Sequence, residues 1–135
     1  MLVNVETTRK NLKAILEREE VNPSVGISKE RRENFKAACD LEGINKISTV
    51  LEDLIDQVIE SYFETDKKLK IEVEGFDDRK VTSICCDSKK WEAFKSGCKK
   101  NHLSFSEVIE AMMGEFIGQV EKSHKVKISG GKAKK

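Results

Sequence analysis

The chain has almost no net charge: 25 Lys and Arg against 24 Asp and Glu leave +1 over 135 residues. The strongly basic balance that marks many nucleic-acid-binding domains is missing, so any attraction to phosphate must be local. There is no apolar run long enough to span a bilayer, and no secretory signal with a charged start and an apolar middle. A cytoplasmic protein, with no membrane partner, is the expectation. Aromatic residues make up only 6% beside 36% charged residues, which suits a small helical protein with salt-rich faces and excludes an extended disordered chain. Cys39, the vicinal pair Cys85-Cys86, and Cys98 lack Cys-x-x-Cys spacing, and His102 and His124 stand apart from them. That excludes a zinc site by spacing, and the thiols read as reduced, small and mostly buried, with no metal or cofactor implied. No Ser–His or Cys–His constellation converges, and carboxylates such as Glu52, Asp53, Asp56 and Glu60 read as spread over solvated helix faces. No catalytic residue is expected, and the chain reads as a non-enzyme.

What is present is a repeat. Ile47, Val50, Leu51, Leu54, Ile55, Val58, Ile59 and Tyr62 step by three and one along one face of an amphipathic helix. Phe105, Val108, Ile109, Met112, Met113, Phe116, Ile117 and Val120 do the same, each 58 positions after its counterpart. Upstream, Phe35, Ala38 and Cys39 match Phe94, Gly97 and Cys98 at 59 positions, so one residue is gained or lost in the turn between the two helices of a copy. That turn is Asp40-Leu41-Glu42-Gly43-Ile44 in one copy and Lys99-Lys100-Asn101-His102-Leu103 in the other, where Gly or Asn suits a left-handed helix end. The second helices open with capping residues, Asn45 in the first copy and Ser104 in the second, and Ser104 with Glu107 has the form of a capping box.

Ahead of each first helix lies a short alternating stretch, Ser24-Val25-Gly26-Ile27 and Ser83-Ile84-Cys85-Cys86, followed by Ser28 or Asp87 as N-cap. Each copy is then strand, helix, turn, helix. A lone strand cannot satisfy its own backbone groups, so the two copies are expected to pair their strands antiparallel over a four-helix core. The divisions that follow are a strand or helix extension over residues 1–22, the first copy over 23–63, a linker over 64–80, the second copy over 81–122 and a basic tail over 123–135. In the extension Thr7 or Thr8 caps a short helix through about Glu20 with Leu12, Ile15 and Leu16 as its apolar edge. Residues 69–73 and 126–128 alternate as short strands do, pairing with each other or with residues 2–5. The tail reads either as a strip lying along a phosphate backbone or as a solubilising terminus.

Strand, capped helix, Gly or Asn turn and a second helix beginning Ser-x-Ser-Glu together resemble the ribbon-helix-helix family, to which the Arc and methionine repressors belong. In the second copy the matching residues are Asp87, Trp91, Phe94, Cys98, Leu103, Ser104, Ser106, Glu107, Val108 and Ile109. In the first copy they are Ser28, Phe35, Cys39, Gly43, Asn45, Ser48, Val50 and Leu51, with a turn one residue longer. The resemblance covers about eighty residues and implies double-stranded DNA as partner, read by a regulator such as a transcriptional repressor or a factor marking a plasmid or transfer origin, hence nucleoid-associated. It implies a ribbon in the major groove and a phosphate held at each second-helix N-terminus. With Val25, Ile27, Ile84 and Cys86 turned inward, the base-facing set becomes Asn22, Ser24, Gly26, Val81, Ser83 and Cys85. The clamp set is Lys46, Ile47, Ser48, Thr49, Phe105, Ser106 and Glu107, with simple helix capping as the alternative role of the two serines. Lys29, Arg31, Lys80, Lys89 and Lys90 are the flanking phosphate contacts. The ribbon set is small and has no Arg, Lys or Gln, which favours shape over base reading. It leaves open a protein-interaction module, antitoxin-like or architectural, that keeps the fold without reading bases. One chain would act as a pseudo-dimer, with further homodimerisation open. Trp91, Phe94, Met112 and Met113 read as core.

Overall fold

A computed structural model of the chain describes residues 2–11, 20–65, 67–71 and 78–134. It is mainly helical with three short antiparallel strand pairs. In chain order the elements are α1 (Val5–Asn11), β1 (Glu20–Val21), β2 (Ser24–Ser28), α2 (Lys29–Leu41), α3 (Ile47–Val58), β3 (Arg79–Ser83), β4 (Cys86–Asp87), α4 (Ser88–Lys100), α5 (Phe105–His124), β5 (Lys127–Ser129) and β6 (Lys132–Lys134).

The helix bounds follow the spacing of the apolar residues. α2 and α4 are both 13 residues long and begin 59 positions apart, while α3 and α5 begin 58 apart at Ile47 and Phe105. Ser28 and Asp87 are the N-caps, their side chains accepting the N–H of Arg31 and Lys90. Each satisfies one of the four donors a helix start leaves orphaned. The turns also agree: Gly43 and His102 both take positive φ, at 74° and 59°, and Ile44 and Leu103 donate to the carbonyls of Cys39 and Cys98. Asn101, one residue earlier, instead uses its side chain to accept the Leu69 N–H and to donate to the Gly97 carbonyl.

The extra residue therefore falls after Ile44. Lys46, and not Asn45, stands at the start of α3 and makes no side-chain cap, because the longer turn carries Asn45 one step too far from the first helical amides. Ser104 does occupy the cap position of α5, but neither it nor Glu107 closes a capping box; only the Ser104 carbonyl accepts, from the Val108 N–H. The stripe beginning at Ile47 is not one uniform helix either. After Val58 it widens into a π-type turn over residues 59–63, whereas α5 runs on to His124.

The inward faces close on one another. Phe35, Ala38, Cys39, Val50, Leu54, Ile55, Phe94, Cys98, Val108, Ile109, Met112 and Phe116 are all buried in one apolar cluster with Val25, Ile27, Ile84 and Cys86 of the strands. Phe35 meets Phe116 at 5.1 Å between ring centroids, and Trp91 lies between Phe94 and Phe105. Removing a side chain of this size from water contributes about 1.5–3 kcal/mol. Burial pushes the thiols of Cys39 and Cys98 up to about 12, so they stay protonated and serve as packing atoms.

The chain ends depart from expectation. Asn4, not Thr7 or Thr8, caps α1, accepting the Thr7 N–H at 3.0 Å, so residues 2–5 form no strand and Val5 is already helical. Glu20 belongs to a strand and not to a helix. Leu12, Ile15 and Leu16, like Glu72 and Val73, lie outside the described residues. Residues 69–71 form no strand, and residues 127–129 pair with residues 132–134, across a turn where Gly130 and Gly131 take positive φ. The basic tail is thus a hairpin held against α2 by Gly131 N–H to Asn34 Oδ1 at 2.8 Å. Glu52 and Asp53 are buried, not solvated, since α3 packs against α1, α2, α4 and α5.

Candidate nucleic-acid interface

The ribbon is built from β1–β2 on one side and β3–β4 on the other. Ser24 pairs with Ser83, Val25 with Thr82, Gly26 with Val81, Ile27 with Lys80 and Ser28 with Arg79. On the far side Val21 pairs with Cys86 and Glu20 with Asp87 in the same register, and Ile84 N–H donates to the Pro23 carbonyl at 3.0 Å between the two pieces. The ribbon is therefore longer than the alternating stretches alone indicated, running from residue 20 to 28 and from 79 to 87.

Alternation sorts its side chains. Val25, Ile27, Ile84 and Cys86 are buried, while Asn22, Ser24 and Ser83 are exposed, Gly26 and Cys85 half-buried, and Val81 is 79% exposed, the one large apolar side chain so open among the described residues. The outer face is shallow where Ser24 and Ser83 pair, and Val81 stands out from it opposite Gly26.

α3 packs against β4 and α5 against β2, so both second helices flank this ribbon. Ser48 Oγ accepts the Cys85 N–H at 3.3 Å, so one clamp hydroxyl already ties helix to ribbon while its own proton remains to donate. Ile47 and Phe105 turn their side chains onto the core, Phe105 edge-on to Trp91 at 5.3 Å. Lys46 is exposed, and Thr49, Ser106 and Glu107 are half-buried at the helix starts.

The flanking cations divide. Lys29, Lys80 and Lys89 are exposed. Arg31 is half-buried: its Nη1 donates to the Glu110 carbonyl at 3.1 Å and lies where a side chain on Gly114 would begin. Lys90, its side chain 38% exposed, reaches Asp56 at 3.6 Å. Both bend towards α5 or α3 because carbonyl and carboxylate oxygens wait there.

Four polar residues at the ribbon ends, Arg79, Glu110, Asp78 and Glu20, were not picked out from sequence. Arg79 bonds Glu110 twice, Nε to Oε1 at 3.2 Å and Nη2 to Oε2 at 3.1 Å, and Glu110 also accepts the Ser28 N–H at 2.9 Å. Asp78 caps α2 from outside: its carboxylate takes the Ser28 hydroxyl and the Glu30 N–H, and those two bonds hold its carboxyl below the usual carboxylate range. At the other end Glu20 Oε2 accepts from Cys85 Sγ. An acidic residue in the position where the other copy carries Arg79 is the available signal, hidden because the sequence pattern places Glu20 at the end of a helix. Among the described residues no group of His, Cys, Asp or Glu is arranged to hold a metal ion, and no helix is long and apolar enough to cross a membrane. Set against known protein families, curated proteins and solved structures, the chain matches none.

Proposed function

We propose that the chain is a tandem ribbon-helix-helix protein whose two copies close a four-helix core and present one ribbon to the major groove of double-stranded DNA. The observation that carries this reading is the pairing of Ser24 with Ser83. These residues hold the same position in the two copies, so the ribbon has an approximate two-fold axis of the kind a groove-docking ribbon needs. Its inner face is anchored, its outer face is shallow at the centre, and a second helix packs on each side. A two-stranded ribbon fits a groove about 12 Å wide.

On this reading contact is led by shape and by few phosphates. Lys29 and Lys80 approach the backbone at one end of the ribbon, Lys89 at the other, and Lys46 at the start of α3. Glu20 and Asp87 make the second end acidic. The two half-sites are accordingly unlike. Binding to duplexes selected from a random pool is expected to show a log–log salt slope of about −3 to −4, from three or four neutralised phosphates. Lys29→Glu with Lys80→Glu weakens it at least about tenfold, and Ser106→Glu weakens it by repelling phosphate. Affinity that ignores both salt and these substitutions refutes the reading.

Val81 favours a second one. An apolar side chain 79% exposed at the middle of the ribbon, facing Gly26, suits a protein partner laid against the outer face. Such a partner would bind with little salt dependence and be lost on Val81→Asp, which separates the two.

A further inference from the structure

Residues 2–5 precede both copies and cross the α3/α5 pair with their main chain bonded at each step. Leu2 N–H donates to Glu115 Oε1 at 2.8 Å. Val3 O accepts from Gln119 Nε2 at 2.8 Å, and Val5 N–H donates to Gln119 Oε1 at 3.1 Å. Asn4 N–H donates to Gln57 Oε1 at 2.7 Å while its carbonyl accepts from Gln57 Nε2 at 3.3 Å. Leu2, Val3 and Val5 are buried beneath. Gln57 and Glu115 stand 58 positions apart, the same place in each copy. One segment thus lies in a groove to which both halves contribute, gripped as a peptide is gripped, through amide and carboxylate side chains that address its backbone.

We propose that this groove is a docking site for one such segment, and that it takes residues 2–5 of a second copy of this chain in place of its own, linking two copies by exchange of their arms. The occupant is a second copy because residues 2–5 are the sequence the groove fits, contact for contact. Exchange of an identical element forms the same bonds in both arrangements, so it costs little. The arm joins the ribbon through residues 12–19, eight residues that reach at most about 26–29 Å. Tethering holds the arm at high effective concentration, so the closed form prevails until the chain is concentrated. Gln119 lies nine residues beyond Glu110 on α5, about 14 Å along the helix, so exchange leaves the ribbon face open. The proposal holds whether or not that face binds DNA.

Two full-length variants test it. Val3→Asp disables the arm, and Gln57→Ala with Gln119→Ala disables the groove. Each alone is expected to sediment as a monomer, and their 1:1 mixture to form a heterodimer, the groove of the first holding the arm of the second. A mixture that stays monomeric while both variants keep the parent's helical circular dichroism overturns the proposal. Should either variant fail to fold, labelled and unlabelled parent chains are mixed at millimolar concentration. Isotope-filtered NMR contacts from Val3 methyls of one copy to Gln119 of the other support exchange. A purely monomeric parent, or a dimer without those contacts, refutes it.

Discussion

Lys90 reaches Asp56 on α3, whereas Arg31, the residue at the matching place in the first copy, lies over Gly114 where that carboxylate would be. Arg79 grips Glu110 at one end of the ribbon, and its counterpart at the other end is Glu20. Ala38 is a buried methyl, while Gly97 has none because the Phe63 ring occupies the space, only 2.1 Å from where a Cβ would stand. The two halves share a backbone plan and differ in the side chains that meet across it. Identical subunits must carry a self-complementary surface. Joined copies are released from that condition, and each unlike pair makes the halves complementary to each other and less so to themselves.

Gly97→Ala should show the largest effect, because Phe63 is a ring wedged against α4 and not a flexible tip. Overpacking of this kind costs about 1–3 kcal/mol, read as a lower urea midpoint. Phe63→Ala in the same chain should recover part of the loss, and full additivity of the two would mean the residues do not meet. Ala38→Gly removes a methyl where no ring waits, at about 1 kcal/mol.

The ribbon ends come next. Arg79→Ala strands the buried Glu110 carboxylate. Breaking a buried pair costs about 3–5 kcal/mol, but Arg79 is 36% exposed and screened, so about 2 kcal/mol is expected. Glu20→Ala, at the opposite end, should fall within about 0.5 kcal/mol. Equal losses at the two ends would erase the asymmetry.

The smallest effect is a pH dependence. The Asp78 carboxyl titrates below its ordinary 3.8 when folded, so its contribution is complete above that value and is lost as pH falls through the folded one. The protection of the Glu30 amide, its exchange rate relative to the intrinsic rate at each pH, should fall below pH 3.8 in the parent. In Asp78→Ala, which removes the acceptor, the amide should already be poorly protected at neutral pH, with no such step.

Much of this was legible in sequence because it depends on period and on single capping residues. The starts of α2, α4 and α5, the buried set along all four long helices and the inward Val25, Ile27, Ile84 and Cys86 need only local spacing. The rest depends on partners distant in the chain. Asp78 caps a helix begun fifty residues earlier, Gln57 closes on Asn4, and Glu20 is drawn into the ribbon by Asp87. A turn longer by one residue sufficed to transfer the α3 start from Asn45 to Lys46. The acceptors of Arg31 and Lys90 have the same origin: the Glu110 carbonyl and the Asp56 carboxylate lie on helices that sequence spacing does not bring near.

Both strands of the ribbon come from one polypeptide. Its assembly is then a first-order event whose equilibrium does not change with dilution, unlike that of a ribbon shared between separate subunits. A handful of molecules in a cell would carry the ribbon as completely formed as a concentrated solution does.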